Sequence, residues 1–187
     1  MNPQPTLETP RLLLRPFRLE DAPQVQRLAG AREVAANTLN IPHPYEDGMA
    51  EGFIENTIRS WANGGDSTFA ITLRETGELV GCIGLGVKGR FHHAEMGYWI
   101  GVPYWNQGYA TEAAAAMLQF GFEALGLHRI YASILVGNGA SGRVQEKIGM
   151  KYEGRFREHY YRWGQWRDSD FRAILVSEWR QLRENAS

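Results

Sequence analysis

The residues best suited to bind an anion lie between Tyr98 and Ala116, where a predicted strand, a glycine-bearing loop and a predicted helix follow one another. The first turn of a helix has N–H groups without intrahelical acceptors and carries the positive end of the helix dipole. In the loop at residues 105–111, Gly108 and the small Ala110 would let a phosphate approach those amides. Because the loop contains no Lys or Arg, the amides themselves would hold the anion. An ordinary strand-to-helix connection is the alternative interpretation.

Two further polar positions belong to strands or strand ends. The run Asn-Gly-Ala-Ser at residues 138–141 directly follows a predicted strand, so Asn138 and Ser141 either cap the next helix or face a ligand. Glu95 lies in the predicted strand at residues 94–100, on the same face as Trp99. A carboxylate there is either solvated or placed in a cleft, where it could remove a proton from a substrate.

Three other chemistries find little support. The glycines at residues 84–89 match G-x-G-x-x-G in letters, but no helix follows them, so we interpret them as hairpin and bulge positions. The five histidines lack metal-binding spacing and Cys82 is the only cysteine, so we expect no metal site. Ser141 does not lie in G-x-S-x-G, which argues against a serine hydrolase.

A segment at residues 156–171 is rich in aromatic and basic residues. The aromatic residues are Phe156, Tyr160, Tyr161, Trp163, Trp166 and Phe171, and the arginines among and beside them are Arg155, Arg157, Arg162, Arg167 and Arg172. Such a segment could stack bases and contact phosphates. The alternative is an edge hairpin whose aromatic residues pack on the core and whose arginines are solvated, and the near-neutral net charge favours this alternative.

Length and composition predict a single globular domain over residues 1–187. Hydrophobic residues make up 43% and charged residues 22% of the chain, which excludes wholesale disorder. The formal net charge of −1 argues against a surface that coats nucleic acid. The first residues are polar and no run of about 18 apolar residues occurs, so we expect no signal peptide, no membrane span and a cytoplasmic location.

Periodicity and turn residues predict seven strands and four principal helices, with a helical tail from Ser177. The predicted strands are residues 11–15, 67–73, 79–87, 94–100, 129–136, 151–161 and 166–176. The predicted helices are residues 19–28, 47–61 with Asp47 as N-cap, 111–125, and a short helix ending at Lys147. Residues 30–45 are predicted to be a loop with at most one helical turn. A mixed sheet with helices on both faces is the natural packing of these elements.

Together these motifs resemble the GNAT superfamily of acetyl-CoA-dependent N-acetyltransferases, and most closely its ribosomal-protein-alanine N-acetyltransferase (RimJ/RimL-like) branch. The resemblance runs from residue 7 to Asp168 and is most specific at residues 97–100, 105–113 and 138–150. In the superfamily's pyrophosphate signature, Q/R-x-x-G-x-G/A, Gly108 and Ala110 fill the last two fixed positions and Trp105 replaces the first. The resemblance implies an α/β (α+β) fold with a mixed, mostly antiparallel seven-stranded sheet and a splayed parallel strand pair in its middle.

The resemblance also implies roles for individual residues. Acetyl-CoA would lie between the strands at residues 94–100 and 129–136, with the backbone of Ile100 and Val102 pairing with its pantetheine arm. Asn138 would bind the pantetheine side, and Ser141 would lie near the thioester sulfur. The amides around the pyrophosphate would come from Gln107, Gly108, Tyr109, Ala110 and Thr111.

The implied reaction is direct attack of a primary amine on the thioester carbonyl, without a metal. An ammonium group has no lone pair, so a base must remove a proton, and Glu95 is our candidate. Glu158 is the second candidate. Some members of the family place a base in the segment that corresponds to Tyr160, where this chain has no carboxylate. A strand N–H near Ile100 would stabilise the oxyanion, and Ser141 would protonate the departing thiolate.

Two functions follow from the resemblance. The first is an N-acetyltransferase whose acceptor is a protein or peptide N-terminus, such as that of a ribosomal protein, or a small molecule such as an amino acid, a polyamine or an antibiotic. The second is a non-catalytic acyl-CoA-binding module on the same fold. The hairpin at residues 156–171 would border the acceptor pocket or a subunit contact in a homodimer. Phe53, Trp61 and residues 37–45 would form the opposite wall.

Overall fold

The computed structural model describes residues 3–185, which form an eight-stranded sheet with helices on both faces. The strands are β1 (Leu7–Glu8), β2 (Leu12–Arg15), β3 (Ser67–Leu73), β4 (Leu79–Lys88), β5 (His93–Ile100), β6 (Arg129–Leu135), β7 (Lys151–Arg162) and β8 (Gln165–Leu175). Their order is β1-β2-β3-β4-β5-β6-β8-β7, and only the β5–β6 pair is parallel. The predicted fold class and all seven predicted strands are confirmed, and the additional strand is the two-residue β1.

The helices agree with the prediction except at three places. They are α1 (Ala22–Ala29), α2 (Arg32–Ala36), α3 (Met49–Ala62), α4 (Tyr109–Gln119), α5 (Gly139–Lys147) and α6 (Val176–Glu184), with a π-helical turn at Phe120–Ala124. The five-residue α2 lies in the segment predicted as a loop with at most one helical turn. Asp47 is not the N-cap of α3: Gly48 caps it at φ 84°, and Asp47 accepts a hydrogen bond from Gln26. Finally, α4 begins at Tyr109, two residues before the predicted start.

Alternation of side chains along the strands divides the core between the two faces of the sheet. In β5, Met96 and Ile100 belong to the cluster that includes Met117 of α4. Trp99 points to the opposite face and joins the cluster that includes Ile54 of α3. Full burial of each such side chain stabilises the fold by about 1.5–3 kcal/mol, so the two layers of helices hold β5 firmly between them.

The parallel pair in the middle of the sheet separates along its length. Backbone pairing between β5 and β6 runs only from His93↔Arg129 to Glu95↔Tyr131, although β5 continues to Ile100 and β6 to Leu135. A gap therefore opens between the two strands in the middle of the sheet. Both α4 and α5 begin beyond the open end of this gap, so the fold brings two helix N-termini to the same place.

Candidate active site

A cavity of about 450 Å³ occupies the open end of the gap. Its walls are the end of β5, the loop before α4, and the N-terminal turns of α4 and α5. Two cations of α5, Arg143 and Lys147, line it, and no carboxylate does among the residues that the structure describes. We call it the donor cavity.

The N-terminus of α4 is open toward this cavity. Gly108 is its N-cap and has φ +82°, a left-handed conformation that favours glycine. Within residues 3–185, the amides of Tyr109, Ala110 and Thr111 have no hydrogen-bond acceptor, and the first helical bond is donated by Glu112 to the Gly108 oxygen at 3.1 Å. Three amides without an acceptor at the positive end of a helix are suited to bind an anion.

A contact from the other end of the chain anchors this loop. Glu112 accepts hydrogen bonds from the Thr9 hydroxyl at 2.6 Å, the Arg11 amide at 2.8 Å and the Arg11 Nε at 2.7 Å. Arg11 also donates to the Gln107 oxygen at 2.9 Å. Partial burial tends to raise the pKa of Glu112, but the hydrogen bonds from Thr9 and Arg11 outweigh it and lower that pKa. Sequence analysis missed this anchor, and its only local signal was an acidic residue in the first turn of a helix.

Trp105 occupies the first fixed position of the pyrophosphate signature, and its contacts show what a tryptophan does there. Its indole N–H donates to the Ile100 oxygen at 2.6 Å, and its amide donates to the Val102 oxygen at 3.2 Å. Val102 begins a single 3₁₀ turn at Val102–Tyr104. Gly101 donates to Val80 on β4, so the polar groups of Ile100 point the other way, into the gap. Trp105 thus ties the loop to the end of β5 and engages the carbonyl oxygens of both residues predicted to pair with pantetheine.

Asn138, Ser141 and Tyr98 meet where the donor cavity joins a second cavity, and all three line both cavities. Asn138 caps α5 by accepting from the Ser141 amide at 3.2 Å, as one of the two sequence interpretations predicted, and donates to the Asn37 oxygen at 3.3 Å. The Tyr98 hydroxyl donates to the Ser141 oxygen at 3.2 Å. Burial raises the pKa of Tyr98 to about 12, although hydrogen bonds with Ser141 and Gln145 act in the opposite direction.

The second cavity measures about 1120 Å³ and lies beyond this junction; we call it the acceptor cavity. Residues 37–42, Tyr45 and Phe53 form one wall, as predicted, and Tyr160, Tyr161 and Arg162 of β7 form the other. Trp61 was also predicted to line this wall, but that prediction is wrong, because its side chain packs against the α4 side of the core.

Glu95 lies in the acceptor cavity and is held by a neighbour. Its Oε1 accepts a hydrogen bond from the Ser133 hydroxyl at 2.7 Å, and Ser133 in turn contacts the Tyr160 hydroxyl at 3.2 Å. Glu158, the second candidate base, is exposed and lines neither cavity among the residues described. The structure therefore brings Glu95, and not Glu158, to the cavity that contains Ser141.

The aromatic hairpin differs from its expected packing. Phe156, Tyr161, Trp163 and Trp166 are each about half exposed or more, rather than packed on the core. Several arginines are engaged rather than solvated, since Arg155 pairs with Asp170 and Arg172 pairs with Glu146, both at 2.7 Å. Because these ion pairs neutralise part of its positive charge, the hairpin is a poor phosphate clamp.

Thiol and metal chemistry find little support in the described residues. Cys82 is buried, and burial raises the pKa of its thiol. Across residues 3–185 there is no cluster of three or more His, Cys, Asp or Glu side chains that could hold a metal ion. In the same part of the chain, no helix combines the length and apolarity needed to span a membrane.

Comparison with known proteins identifies the family. The profile of the acetyltransferase (GNAT) domain matches residues 11–151. The chain is 34% identical to YnaD, an uncharacterized N-acetyltransferase of Bacillus subtilis, over 92% of this chain and 98% of the relative. It is 31% identical to the Escherichia coli [ribosomal protein uS5]-alanine N-acetyltransferase, over 50% of this chain and 48% of that protein.

A solved structure gives the same result. The structure of Mycobacterium smegmatis RimJ in complex with CoA-disulfide superimposes with a TM-score of 0.84 and 27% identity, over 94% of this chain and 89% of that one. The chain therefore belongs to the GNAT acetyltransferase family. It is an acyltransferase, and the acetyl donor of this family is acetyl-CoA.

Proposed function

We propose that this enzyme transfers the acetyl group of acetyl-CoA directly to the N-terminal amine of a protein or peptide. The observation that carries the proposal is the pair of cavities that meet at Tyr98 and Ser141, one suited to a phosphorylated cofactor and the other much larger. An amine that enters the acceptor cavity would meet the thioester at this junction.

The donor cavity fits acetyl-CoA. Gly108 has no Cβ, and the amides of Tyr109, Ala110 and Thr111 are free to bind the pyrophosphate together with those of Gln107 and Gly108. Arg143 and Lys147 add positive charge for the phosphates. Backbone groups of Ile100 and Val102 would bind the pantetheine arm, chiefly through their amides because Trp105 engages both carbonyls. Asn138 would contact the same arm, exchanging its hydrogen bond to Asn37.

Three groups would perform the proton and charge steps. Glu95 would remove a proton from the ammonium, directly or through a water, and free the nitrogen lone pair for attack. The amide of Ile100 would stabilise negative charge on the carbonyl oxygen. Ser141 would then protonate the thiolate, whose thiol has an ordinary pKa of about 8.5. The N–C bond would form first, and the C–S bond would break when the tetrahedral intermediate collapses. The nitrogen loses two protons in all: the first goes to Glu95 before attack and from there to solvent, and the second, lost as the amide forms, replaces the proton that Ser141 gives to the thiolate.

A peptide acceptor is favoured by the size and charge of the acceptor cavity. Its volume of about 1120 Å³ exceeds what a small amine fills. Its charged lining consists of the carboxylates of Asp66 and Glu95 and the guanidinium of Arg162. Arg162 already donates to the oxygens of Ala35 and Ile41, at 2.8 and 2.7 Å, so an ammonium group is favoured over the carboxylate of a free amino acid. The E. coli relative that acetylates the alanine of uS5 supports the same acceptor class.

The test is an acceptor panel monitored by release of free thiol from acetyl-CoA. The panel contains hexapeptides beginning with alanine or serine, the same peptides with blocked N-termini, spermidine, and free alanine. We expect turnover with the free peptides and none with the blocked ones. Preference for spermidine or free alanine would reassign the enzyme to small-molecule amines, and tight acetyl-CoA binding without turnover on any amine would overturn the proposal.

A further inference from the structure

We propose that Ser133 and Tyr160 are positioning residues that form a one-directional hydrogen-bond chain and fix the carboxylate of Glu95 for proton removal. This inference rests on the proposed role of Glu95 as base. Neither residue was predicted to position the base: Ser133 is not named in the sequence-based prediction, and Tyr160 is named there only as an aromatic residue of the hairpin and as a position without a carboxylate.

The donors and acceptors of this chain have only one consistent arrangement. An ionised Glu95 can only accept, so the Ser133 hydroxyl donates to Oε1 across 2.7 Å. A serine hydroxyl has one proton, and therefore Ser133 Oγ accepts from the Tyr160 hydroxyl across 3.2 Å. Within residues 3–185 the bond from Ser133 is the only hydrogen bond of the Glu95 side chain, so Oε2 is left for the acceptor amine or a bridging water.

The site of Ser133 in the sheet explains why a side chain does this work. Backbone pairing between β5 and β6 ends at Glu95↔Tyr131, and Ser133 is the next residue of β6 on the same face. Its hydroxyl therefore bridges the two strands where their backbones have separated. The gap that admits the thioester would leave Glu95 unsupported, and Ser133 restores one fixed contact across it.

Tyr160 reaches this point because β7 is bulged. The partners Phe156↔Ser169 and Tyr160↔Arg167 place two extra residues in β7, and Glu158 within the bulge has φ +49°. The Glu158 amide donates to Asp168 at 2.8 Å, which holds the bulge in place. Since β8 lies between β6 and β7, Tyr160 must lean over β8 to reach Ser133. Bulges commonly redirect a side chain beside an active site.

The other charged and titratable groups around Glu95 leave Ser133 as its direct partner. Tyr131 of β6 lies beside it, and burial together with the negative charge of Glu95 raises the pKa of Tyr131. Asp66 adds negative charge to the same cavity, and Arg162 is bound to the backbone oxygens of Ala35 and Ile41. No cation therefore pairs with Glu95 among the residues described, and a neutral hydroxyl sets its orientation.

The first test measures the free enzyme, so it does not depend on the acceptor. With ¹³C-labelled glutamate, NMR follows the pH at which the side-chain carboxyl carbon of Glu95 titrates, with the signal identified by its absence in Glu95→Gln. A hydrogen bond to the charged form favours that form. We expect Ser133→Ala to move the midpoint to higher pH by about one pH unit and Ser133→Thr, which keeps the hydroxyl, to restore it. An unchanged midpoint in Ser133→Ala would overturn the inference.

The second test separates the chain from a simple cavity wall. Tyr160→Phe should move the midpoint in the same direction by less, and it should add nothing in a Ser133→Ala background because Tyr160 acts through Ser133. With the alanine-initiated hexapeptide, Ser133→Ala should lower kcat by about three- to tenfold and leave the KM for acetyl-CoA unchanged. Tyr152→Phe, on the exposed part of β7, is the matched control and should change neither the Glu95 midpoint nor kcat. If the effects of Tyr160→Phe and Ser133→Ala on the midpoint add in the double variant, Tyr160 does not act through Ser133 and does not belong to the hydrogen-bond chain.

Failure of this inference is distinguishable from failure of the proposed function. If Glu95→Gln keeps wild-type turnover, then the base assignment is wrong and the hydrogen-bond chain from Tyr160 through Ser133 has no catalytic role, whatever the NMR midpoints are. If Glu95→Gln abolishes turnover while Ser133→Ala keeps the wild-type midpoint and rate, then the base stands and the chain is wrong.

Discussion

The donor and acceptor cavities are built in different ways. The donor cavity presents backbone amides from one loop and one helix start, and most of its lining comes from residues 98–111 and 137–147. The acceptor cavity is lined by residues of β3, β4, β5, β6, β7, α1, α3, α5 and the loop after α2. The proposed cofactor site is therefore formed mostly by two short segments of chain, whereas the proposed acceptor site is formed by residues that only the tertiary fold brings together.

The two cavities also differ in charge. Among residues 3–185, Arg143 and Lys147 line the donor cavity and no carboxylate does. In the same part of the chain, Asp66 and Glu95 line the acceptor cavity together with one guanidinium, that of Arg162, which is already hydrogen-bonded. This difference matches an anionic cofactor on one side and an ammonium group on the other. Substitutions should therefore separate into those that change acetyl-CoA binding and those that change the rate alone.

Glu95→Gln should give the largest effect, because it removes the base and keeps the shape of the side chain. We expect kcat with the alanine-initiated hexapeptide to fall by about a hundredfold at neutral pH, with acetyl-CoA affinity unchanged by calorimetry. The loss should be smaller at high pH, where the amine, with an ordinary pKa near 8, is already neutral. An equal loss at every pH would show that Glu95 positions the acceptor rather than removing its proton.

Gly108→Val should impair the donor cavity instead of the acceptor cavity. At φ +82° a β-branched residue is strained, and its Cβ would lie 3.3 Å from the Arg11 Nη2 and beside the free amides. We expect acetyl-CoA to bind at least about tenfold more weakly, as measured by calorimetry. Gly126→Val is the matched control, since Gly126 also has a positive φ, +64°, lies beyond the far end of the same helical segment, and has open space within 4 Å of the position that a Cβ would take. Equal losses of affinity in both variants would refute the pyrophosphate assignment.

The contrast between the two cavities also explains which site residues could be predicted from the sequence. Gly108, Ala110, Asn138 and Ser141 were found because a strand, a turn residue and a helix start are encoded within a few positions of each other. The splayed parallel strands followed from the resemblance, and the register that ends their pairing at Glu95↔Tyr131 is consistent with it.

The missed residues share a different property. Arg11 and Glu112 are 101 residues apart, and Ser133 lies 38 residues from Glu95 and 27 from Tyr160. Strand order and a two-residue bulge decide those contacts, and no local period encodes either. Burial was misjudged in the aromatic hairpin for a related reason: β7 is an edge strand of the sheet, and its residues Phe156 and Tyr161 are half exposed or more.

Ser141→Ala and Tyr98→Phe compare two hydroxyl groups at the junction of the cavities. If Ser141 protonates the thiolate, Ser141→Ala should lower kcat by roughly tenfold, because a thiolate is a fair leaving group without help. Tyr98 donates to the backbone carbonyl oxygen of Ser141, and its raised pKa of about 12 makes it a weak acid. Tyr98→Phe should therefore lower kcat by less than about threefold. Single-turnover thiol release measures both, and a larger loss in Tyr98→Phe would transfer the proton-donor role to Tyr98.

Glu112→Gln should have the smallest effect on the rate and a modest effect on stability. The depressed pKa of Glu112 means that its carboxylate stabilises the fold above its unfolded pKa, near 4.3, and that this contribution is lost as pH falls further. We expect the substitution to lower the free energy of unfolding by about 1–2 kcal/mol at pH 7, and the difference from wild type to shrink below about pH 4. Urea denaturation across this pH range measures it.

Glu123→Gln is the matched control for that substitution, because Glu123 follows α4 in the π-helical turn and pairs with Arg183 at 2.9 Å across an exposed surface. Such surface pairs contribute little, so its change should stay within about 0.5 kcal/mol. If Glu112→Gln behaves the same way, the anchor between the chain's beginning and α4 does not hold the loop. If instead Glu112→Gln weakens acetyl-CoA binding and leaves the acceptor KM unchanged, the donor cavity depends on one long-range contact in addition to the two segments that line most of it.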